Sequence, residues 1–285
     1  MRKNLALALT GVATLFALTA CGGGTASAPS ADVSATLDPA NPTIVKVGAS
    51  PVPHSQILEY IDENLAAEAG IDLDITEIDD YQTPNLALSD GSIDANFFQH
   101  VPFFDDQVES KGYELEHGEG ILLEPLTAFS KKYADAASVE DGAVVVLMND
   151  PSNQVRGLRV LEGAGLLSGI VDGDSALTVE SDEAKNPKQL KFQEVNAEQV
   201  PKFYQEDPAV GIAVVNGNFI VQAKLNKDEV VAVEPTENNP NANILAWRAG
   251  EKTAGVAKLD ELLHSDEVSA FIKTTWPEGD VIPAF

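Results

Sequence analysis

Apolar and polar positions along the chain alternate between a strand-like and a helix-like period. Residues 43–50, TIVKVGAS, form an apolar, β-branched run that predicts a strand. From Ser55 the apolar residues recur every three or four positions up to Gly70, which predicts a helix that ends at this glycine. Residues 71–78, IDLDITEI, have period two and predict a half-exposed strand.

The rest of the chain continues this alternation. A short helix is predicted from Thr83-Pro84 to Asp90-Gly91, followed by a strand at residues 93–98. Further strands are predicted at 143–149, 190–195, 209–216, 230–234 and 243–249, and further helices at 150–163, 197–205 and 258–276. Strands separated by helices indicate parallel β-α-β units.

The predicted elements form two α/β blocks joined by extended segments near residues 121–133 and 230–248. This arrangement predicts an α/β fold of two lobes with a ligand cleft between them. Lobe 1 is assigned to residues 43–125 and 240–285, and lobe 2 to residues 126–239. The segments FFQH, MNDPSN and VVNGN follow strands, at the carboxyl ends where open α/β sheets bind ligands.

The N-terminus predicts a secretory signal peptide over residues 1–20. Arg2 and Lys3 are followed by an apolar run at 5–18, which is shorter than the roughly 20 residues that cross a bilayer. A buried helix is the alternative, but the charged start, the apolar run and the small residues at its end together favour a signal.

Cys21 is the single cysteine of the chain, so no internal disulfide can form. The residues LTAC before three glycines resemble the bacterial lipoprotein signal, in which the cysteine becomes lipidated. Residues 21–42 are rich in Gly, Ala, Ser and Pro and predict a flexible tether. The protein is therefore expected on the extracytoplasmic face of the cell membrane, held by a lipid anchor.

Charge and motif content argue against several other classes of function. The formal charge of −27 becomes −29 once Arg2 and Lys3 leave with the signal, which disfavours nucleic acid as a partner. The four histidines are scattered without an HExxH motif, and no GxSxG, Walker A or GxGxxG motif occurs. Asp105, Asp106 and Glu109 lack the EF-hand pattern and are interpreted as a solvated helix face. No metal, cofactor or enzymatic activity is therefore expected.

Four segments together resemble a known family. In order and spacing, YQTPNLALSDGSIDANFFQHVPFFD, NDPSNQVRGLRVLEGAGLL, AVVNGNF and NPNANILAW resemble the methionine-binding lipoproteins of methionine ABC importers, which are NlpA-type lipoproteins. The resemblance covers residues 43–285. Within this range the motifs DANFFQH and NDPSNxxR are specific to the family, whereas the terminal helix is not. It implies a two-lobed, type II-like periplasmic-binding-protein fold that captures methionine and delivers it to a membrane permease.

Three polar residues are candidates for holding the amino-acid part of such a ligand. Arg156 lies in the second turn of its predicted helix and offers paired N–H donors to a carboxylate. Most helix arginines are solvated, but the resemblance assigns this one to the ligand, and we expect it to contribute little to the core. Asn216 and Asn243 can both donate and accept; turn capping is the alternative, and the resemblance favours ligand contact.

Four further residues match the wall that grips the methionine side chain in this family: Tyr81, Phe98, His100 and Phe103. A thioether packs well against aromatic edges. Phe97 should point the opposite way along the strand, into the core. Two positions depart from the family pattern, because Phe103 and Asn241 stand where relatives often carry tyrosine.

Two alternatives stay open from the sequence. The ligand could be D-methionine or a methionine-containing dipeptide. The chain could also be a surface lipoprotein that has lost transport and acts as an adhesin, although the intact set of Arg156, Asn216 and Asn243 argues against such a loss.

Overall fold

The computed structural model describes residues 35–285. The predicted signal peptide, Cys21 and residues 21–34 of the predicted tether lie outside the described residues. Within the described end of the tether, Leu37 packs against the core of the first sheet, so the chain contacts the body several residues before Thr43.

The described chain alternates strands and helices. The strands are β1 Thr43–Ala49, β2 Ile71–Glu77, β3 Ala95–His100, β4 Leu115–Leu123, β5 Thr127–Phe129, β6 Val144–Met148, β7 Lys191–Val195, β8 Val210–Val215, β9 Val230–Val233, β10 Asn243–Arg248 and β11 Ile282–Pro283. The helices are α1 Gln56–Ile61, α2 Ala67–Ala69, α3 Thr83–Ser89, α4 Val101–Lys111, α5 Pro151–Gly163, α6 Ala176–Glu180, α7 Val200–Glu206, α8 Gly217–Ala223, α9 Ala254–Leu263 and α10 Asp266–Thr275.

These strands form two sheets, which confirms the predicted α/β class. The first has the order β11-β4-β10-β3-β1-β2 and the second the order β7-β6-β8-β5-β9. Strands β1, β2 and β3 are parallel, as are β6, β7 and β8, and each parallel group follows β-α-β connections. Strands β4, β5, β9, β10 and β11 pair antiparallel, which the alternation of strands and helices did not indicate.

The chain crosses between the sheets twice, after β4 and after β9. The crossing segments are joined by hydrogen bonds: the Glu234 N–H donates to the Leu126 carbonyl at 2.9 Å, and the Leu126 N–H donates to Glu234 Oε2 at 3.0 Å. All strands of the first sheet lie within the range predicted for lobe 1, and all strands of the second sheet lie within the range predicted for lobe 2. The lobe boundaries themselves stay a prediction.

The first helical segment ends where the sequence predicted. It runs through α1 and α2 to Ala69, with a π-helical turn at Asp62–Ala66; the turn at Pro51–Ser55 before it is interrupted by Val52, whose backbone is extended. Gly70 then adopts a left-handed conformation with φ 74°, which a residue without a β-carbon takes up at little cost and which ends the helix.

The prediction of a single terminal helix over residues 258–276 is wrong. The structure has two helices, α9 and α10, separated at His264 and Ser265. Ser265 is extended and its side chain accepts a hydrogen bond from the Val268 N–H, so it caps a new helix. Each helix can then turn its own apolar residues onto the core of the first sheet, among them Leu259 and Ile272.

Candidate ligand-binding site

The carboxyl ends of β3, β6 and β8 meet at a cavity between the two sheets. Its volume is about 20 Å³, room for about one water molecule and well below the range for small-molecule sites. The lining contains all seven residues that the sequence singled out: Tyr81, Phe98, His100, Phe103, Arg156, Asn216 and Asn243. It also contains Gln99, Glu124, Asn153, Gly217, Asn218 and Asn241.

One side of the cavity is aromatic. The ring centroids of Tyr81, Phe98 and Phe103 lie 5.7 to 5.9 Å from one another, with Phe98 and Phe103 edge to face. The Tyr81 hydroxyl donates to Asn218 Oδ1 at 2.6 Å, which joins a loop of the first lobe to α8 of the second. These rings form a polarizable wall whose position depends on contact between the lobes.

Adjacent phenylalanines of β3 point to opposite faces of the strand. Phe97 is fully buried in the core of the first sheet, where its ring meets His54 edge to face. Phe98, on the other face of the strand, lines the cavity. The alternation of side chains along a strand therefore separates core from cavity as predicted.

His100 ends the same strand as a neutral hydrogen-bond donor. Its Nδ1 accepts from the Phe103 N–H at 3.2 Å, which assigns the proton to Nε2, and Nε2 donates to Asn153 Oδ1 at 2.9 Å. Burial, followed by the positive charge of Arg156, lowers the pKa of His100 to about 3. The ring therefore supplies an N–H and no charge.

Arg156 lies on α5 and already forms a forked pair with a carboxylate of the protein. Its Nε donates to Glu234 Oε1 at 2.7 Å and its Nη2 donates to Oε2 at 2.5 Å. Nη2 also donates to the main-chain oxygen of Glu124 at 2.9 Å. The expectation that Arg156 contributes little to the core is wrong, because its side chain and that of Glu234 are each only 8% exposed.

Glu234 is held in its charged form by this pairing. Burial raises the pKa of Glu234, but the hydrogen bonds and charge of Arg156 outweigh burial and leave that pKa below its ordinary value. Asn241, one of the positions that departs from the family pattern, donates to Glu234 Oε1 at 3.0 Å. Asparagine at this position therefore places an amide next to Glu234, the carboxylate that orients Arg156.

Asn153 is a functional candidate that the sequence reasoning missed. Its Oδ1 receives three donors: His100 Nε2 at 2.9 Å, Asn216 Nδ2 at 3.1 Å and, more weakly, Arg156 Nη1 at 3.4 Å. A carboxylate oxygen is a stronger acceptor for the same donors. The motif NDPSNxxR contained the signal for it, because Asn153 and Arg156 are three residues apart and therefore lie on the same face of helix α5.

Glu124 is the second candidate that was missed. It follows β4 in the apolar run ILLEPL, and an isolated acid in such a run is the sequence signal for it. Its Oε2 accepts from Asn243 Nδ2 at 2.7 Å. A β-carbon on Gly217 would lie 2.5 Å from that of Glu124, so only glycine fits beside it. Burial, opposed by Arg156 and the Asn243 hydrogen bond, raises the pKa of Glu124 to about 8.

Metal chemistry has no visible support in the described part of the chain. Residues 35–285 contain no group of three or more His, Cys, Asp or Glu side chains placed to hold a metal ion. Nor does any helix in that range have the length and apolar character needed to cross a membrane.

Comparisons with known proteins agree with this arrangement. Residues 45–285 match the model of the NlpA lipoprotein family. The chain is 36% identical over 242 residues to the methionine-binding lipoprotein MetQ of Bacillus subtilis, covering 84% of this chain and 87% of the relative. It is 33% identical over 232 residues to the D-methionine-binding lipoprotein MetQ of Salmonella typhi, covering 81% and 85%.

A solved structure shares the fold. The nutrient-binding protein of Burkholderia cenocepacia bound to methionine superposes with a TM-score of 0.74 at 30% identity. The match covers 85% of this chain and 100% of that protein. The architecture is thus the two-lobed fold of ABC-transporter substrate-binding proteins, as the sequence predicted.

Proposed function

Since the chain belongs to the NlpA lipoprotein family, we propose that it is a substrate-binding lipoprotein that captures methionine and delivers it to an ABC importer. One observation carries the proposal. One cavity joins an aromatic wall to N–H donors of His100 and Asn216 that converge on Asn153 Oδ1. The wall suits a thioether and the donors suit a carboxylate, so the cavity matches both ends of methionine.

Each predicted site residue has a role in this proposal. Arg156 and Asn216 supply donors to the ligand carboxylate, and Asn243 supports the opposite end of the cavity through Glu124. Tyr81, Phe98 and Phe103 hold the side chain, and His100 donates its Nε2 proton beside them. Phe103 brings no hydroxyl group, which makes this wall less polar than one that ends in tyrosine.

The protein carries its ligand without chemical change, in keeping with substrate-binding proteins of its family. As a member of a lipoprotein family it is associated with a membrane. We place it on the extracytoplasmic face, where a membrane permease takes up the released methionine.

A ligand panel tests the proposed specificity. We expect L-methionine to raise the melting temperature of ligand-stripped protein well above the effect of lysine, aspartate or glutamine, because the rings of Tyr81, Phe98 and Phe103 offer no charged partner to a charged side chain. A hundredfold excess over Kd adds about 2.7 kcal/mol of stability, which thermal unfolding resolves easily.

The same panel separates the alternatives. D-methionine and methionine-containing dipeptides are run alongside, and a larger shift with either would reassign the ligand within the binding-protein class. A larger shift with a branched or charged amino acid would contradict the pocket assignment. No shift with any of these ligands would favour an adhesin-like lipoprotein.

The anchor is tested at Cys21. Cys21→Ala should leave the protein unlipidated while its body still binds methionine, because the site lies entirely within the described residues. Stable attachment takes two acyl signals, and removal of the lipidated residue removes them together. Mass spectrometry of the wild-type mature N-terminus is the measurement. An unmodified Cys21, or processing that globomycin does not block, would overturn the lipoprotein assignment.

A further inference from the structure

Glu124 is a buried carboxyl group that lacks a cation of its own among the residues that the structure describes. It is 6% exposed and lines the cavity. The nearby Arg156 directs Nε and Nη2 to Glu234 and gives Glu124 a hydrogen bond only at its main-chain oxygen. An ionised Glu124 would therefore be a buried charge without a dedicated partner, which proteins avoid by neutralising the group.

His54 cannot supply the missing charge. Its Nε2 lies 3.5 Å from Glu124 Oε2, yet the residue is fully buried and neither ring nitrogen has a hydrogen-bond partner within the described chain. Burial lowers the pKa of His54 to about 3, so the ring is neutral. Of His54 and Glu124, the group that holds a proton between them is therefore the Glu124 carboxyl group.

Two buried acceptors at the cavity are left without a donor. Glu124 Oε1 and Asn216 Oδ1 have no hydrogen-bond partner among residues 35–285, and both residues line the cavity. Buried acceptors without partners are rare in native proteins and point to a group that is bound there in use. The donors of His100 and Asn216 converge elsewhere, on Asn153 Oδ1. The cavity therefore presents both N–H donors and unpartnered acceptors, as an α-amino acid requires.

We propose that Glu124 receives the ammonium of the bound amino acid and gives up its own proton to solvent as the ligand enters. The O–H bond of the Glu124 carboxyl group breaks and water takes the proton. The ligand ammonium keeps all three of its protons and donates toward Glu124 Oε1 and Asn216 Oδ1. This inference rests on the proposed function and adds the release of one proton to the binding equilibrium.

The coupling has a definite pH dependence. In the ligand-free protein burial raises the pKa of Glu124 to about 8, and the ligand ammonium lowers it. Below about pH 8 the ligand must displace a proton, so its apparent affinity falls by up to about tenfold per pH unit until the pKa of the bound state is reached. Above about pH 8 the affinity levels off, until at about pH 9 the free ligand begins to lose its own ammonium proton.

The other titratable groups that face Glu124 keep their charge state through this range. Burial lowers the pKa of His54 and raises that of the Tyr81 phenol, which keeps both groups neutral. The pairing with Arg156 keeps the pKa of Glu234 below its ordinary value, so Glu234 stays ionised. A proton released near neutral pH therefore reports on Glu124.

Calorimetric titration of L-methionine into ligand-stripped protein measures this proton directly. Titrations at about pH 6.5 in buffers with different ionisation enthalpies give the number of protons released from the slope of the apparent enthalpy. We expect about one proton per ligand there, with the release falling to about half a proton at about pH 8, where half of Glu124 is already ionised before the ligand binds.

Glu124→Gln keeps the shape of the side chain and removes its proton. It should bind L-methionine more weakly, with no proton release and little pH dependence. Glu119→Gln removes an exposed carboxylate from β4, the strand that Glu124 follows, and should behave like the wild-type protein. As a ligand control, 4-(methylthio)butanoate lacks the amino group, so it should bind weakly and release no proton.

The outcomes separate this inference from the function on which it rests. Methionine binding to wild type without proton release, unchanged release in Glu124→Gln, or tight binding of 4-(methylthio)butanoate with the same release as methionine would each overturn the role of Glu124. The proposed function would stand in all three cases. Absence of any methionine binding to wild type would instead refute the function itself.

Discussion

We expect Arg156→Ala to abolish methionine binding and also to lower the free energy of unfolding. The ligand carboxylate would lose a charge-assisted partner in a closed site, which costs about 2 to 5 kcal/mol of binding energy. The same change leaves Glu234 buried without its cation, and breaking a buried pair in this way costs about 3 to 5 kcal/mol of stability. Titration calorimetry and denaturant unfolding measure the two effects separately.

The pH dependence of the stability loss identifies its cause. In wild type the lowered pKa of Glu234 contributes stability that is present above the unfolded pKa, about 4.3, and is lost as the pH falls through the folded pKa. In Arg156→Ala the hydrogen bonds from the Leu126 N–H and Asn241 remain, but the cation is gone, so burial penalises Glu234 when this group is charged. The difference in stability between the two proteins should shrink as the pH falls below about 4.

Two further variants act as controls for Arg156. Arg156→Lys keeps the charge, but one ammonium cannot match both oxygens of Glu234 and still face the cavity, so binding should stay severely impaired. Arg159→Ala removes an arginine of the same helix that is half exposed and pairs with the exposed Asp172. It should change stability by at most about 1 kcal/mol and leave binding intact. Wild-type affinity in Arg156→Ala would refute the assignment of this site.

The adjacent phenylalanines of β3 should respond oppositely to the same truncation. Phe97→Ala opens a cavity in the core of the first sheet and should cost about 3 to 5 kcal/mol of stability, with little effect on the methionine affinity of the folded fraction. Phe98→Ala removes part of the aromatic wall and should weaken methionine binding by about twofold to tenfold, since each sulfur–aromatic contact contributes about 0.3 to 1.5 kcal/mol.

Unfolding and binding measurements on both variants test whether Phe97 belongs to the core and Phe98 to the cavity wall. The two substitutions are chemically identical and lie at neighbouring positions, so each serves as the control for the other. If Phe97→Ala reduces the affinity of folded protein as much as Phe98→Ala does, the separation of core from cavity along this strand is incorrect.

Local signals in the sequence were enough to predict most of the strands and helices. Apolar periodicity located the strands and helices, and Gly70 and Asp150 marked a helix end and a helix start that the structure has. Alternation along β3 separated Phe97 from Phe98. The resemblance selected seven residues that the fold brings to one cavity. These signals work because caps, periods and side-chain alternation depend on neighbours within a few residues.

Only the tertiary structure decided how the charged residues are paired. Arg156 and Glu234 are 78 positions apart, and Asn243 and Glu124 are 119 apart. These contacts exist because two crossing segments come together between the sheets, and no short-range pattern encodes that meeting. The sequence therefore identified Arg156 as a donor, whereas the fold determined that most of its fork is already occupied. The fold likewise places Glu124 in the cavity lining, where burial raises its pKa to about 8; an isolated glutamate in a sequence carries no sign of such surroundings.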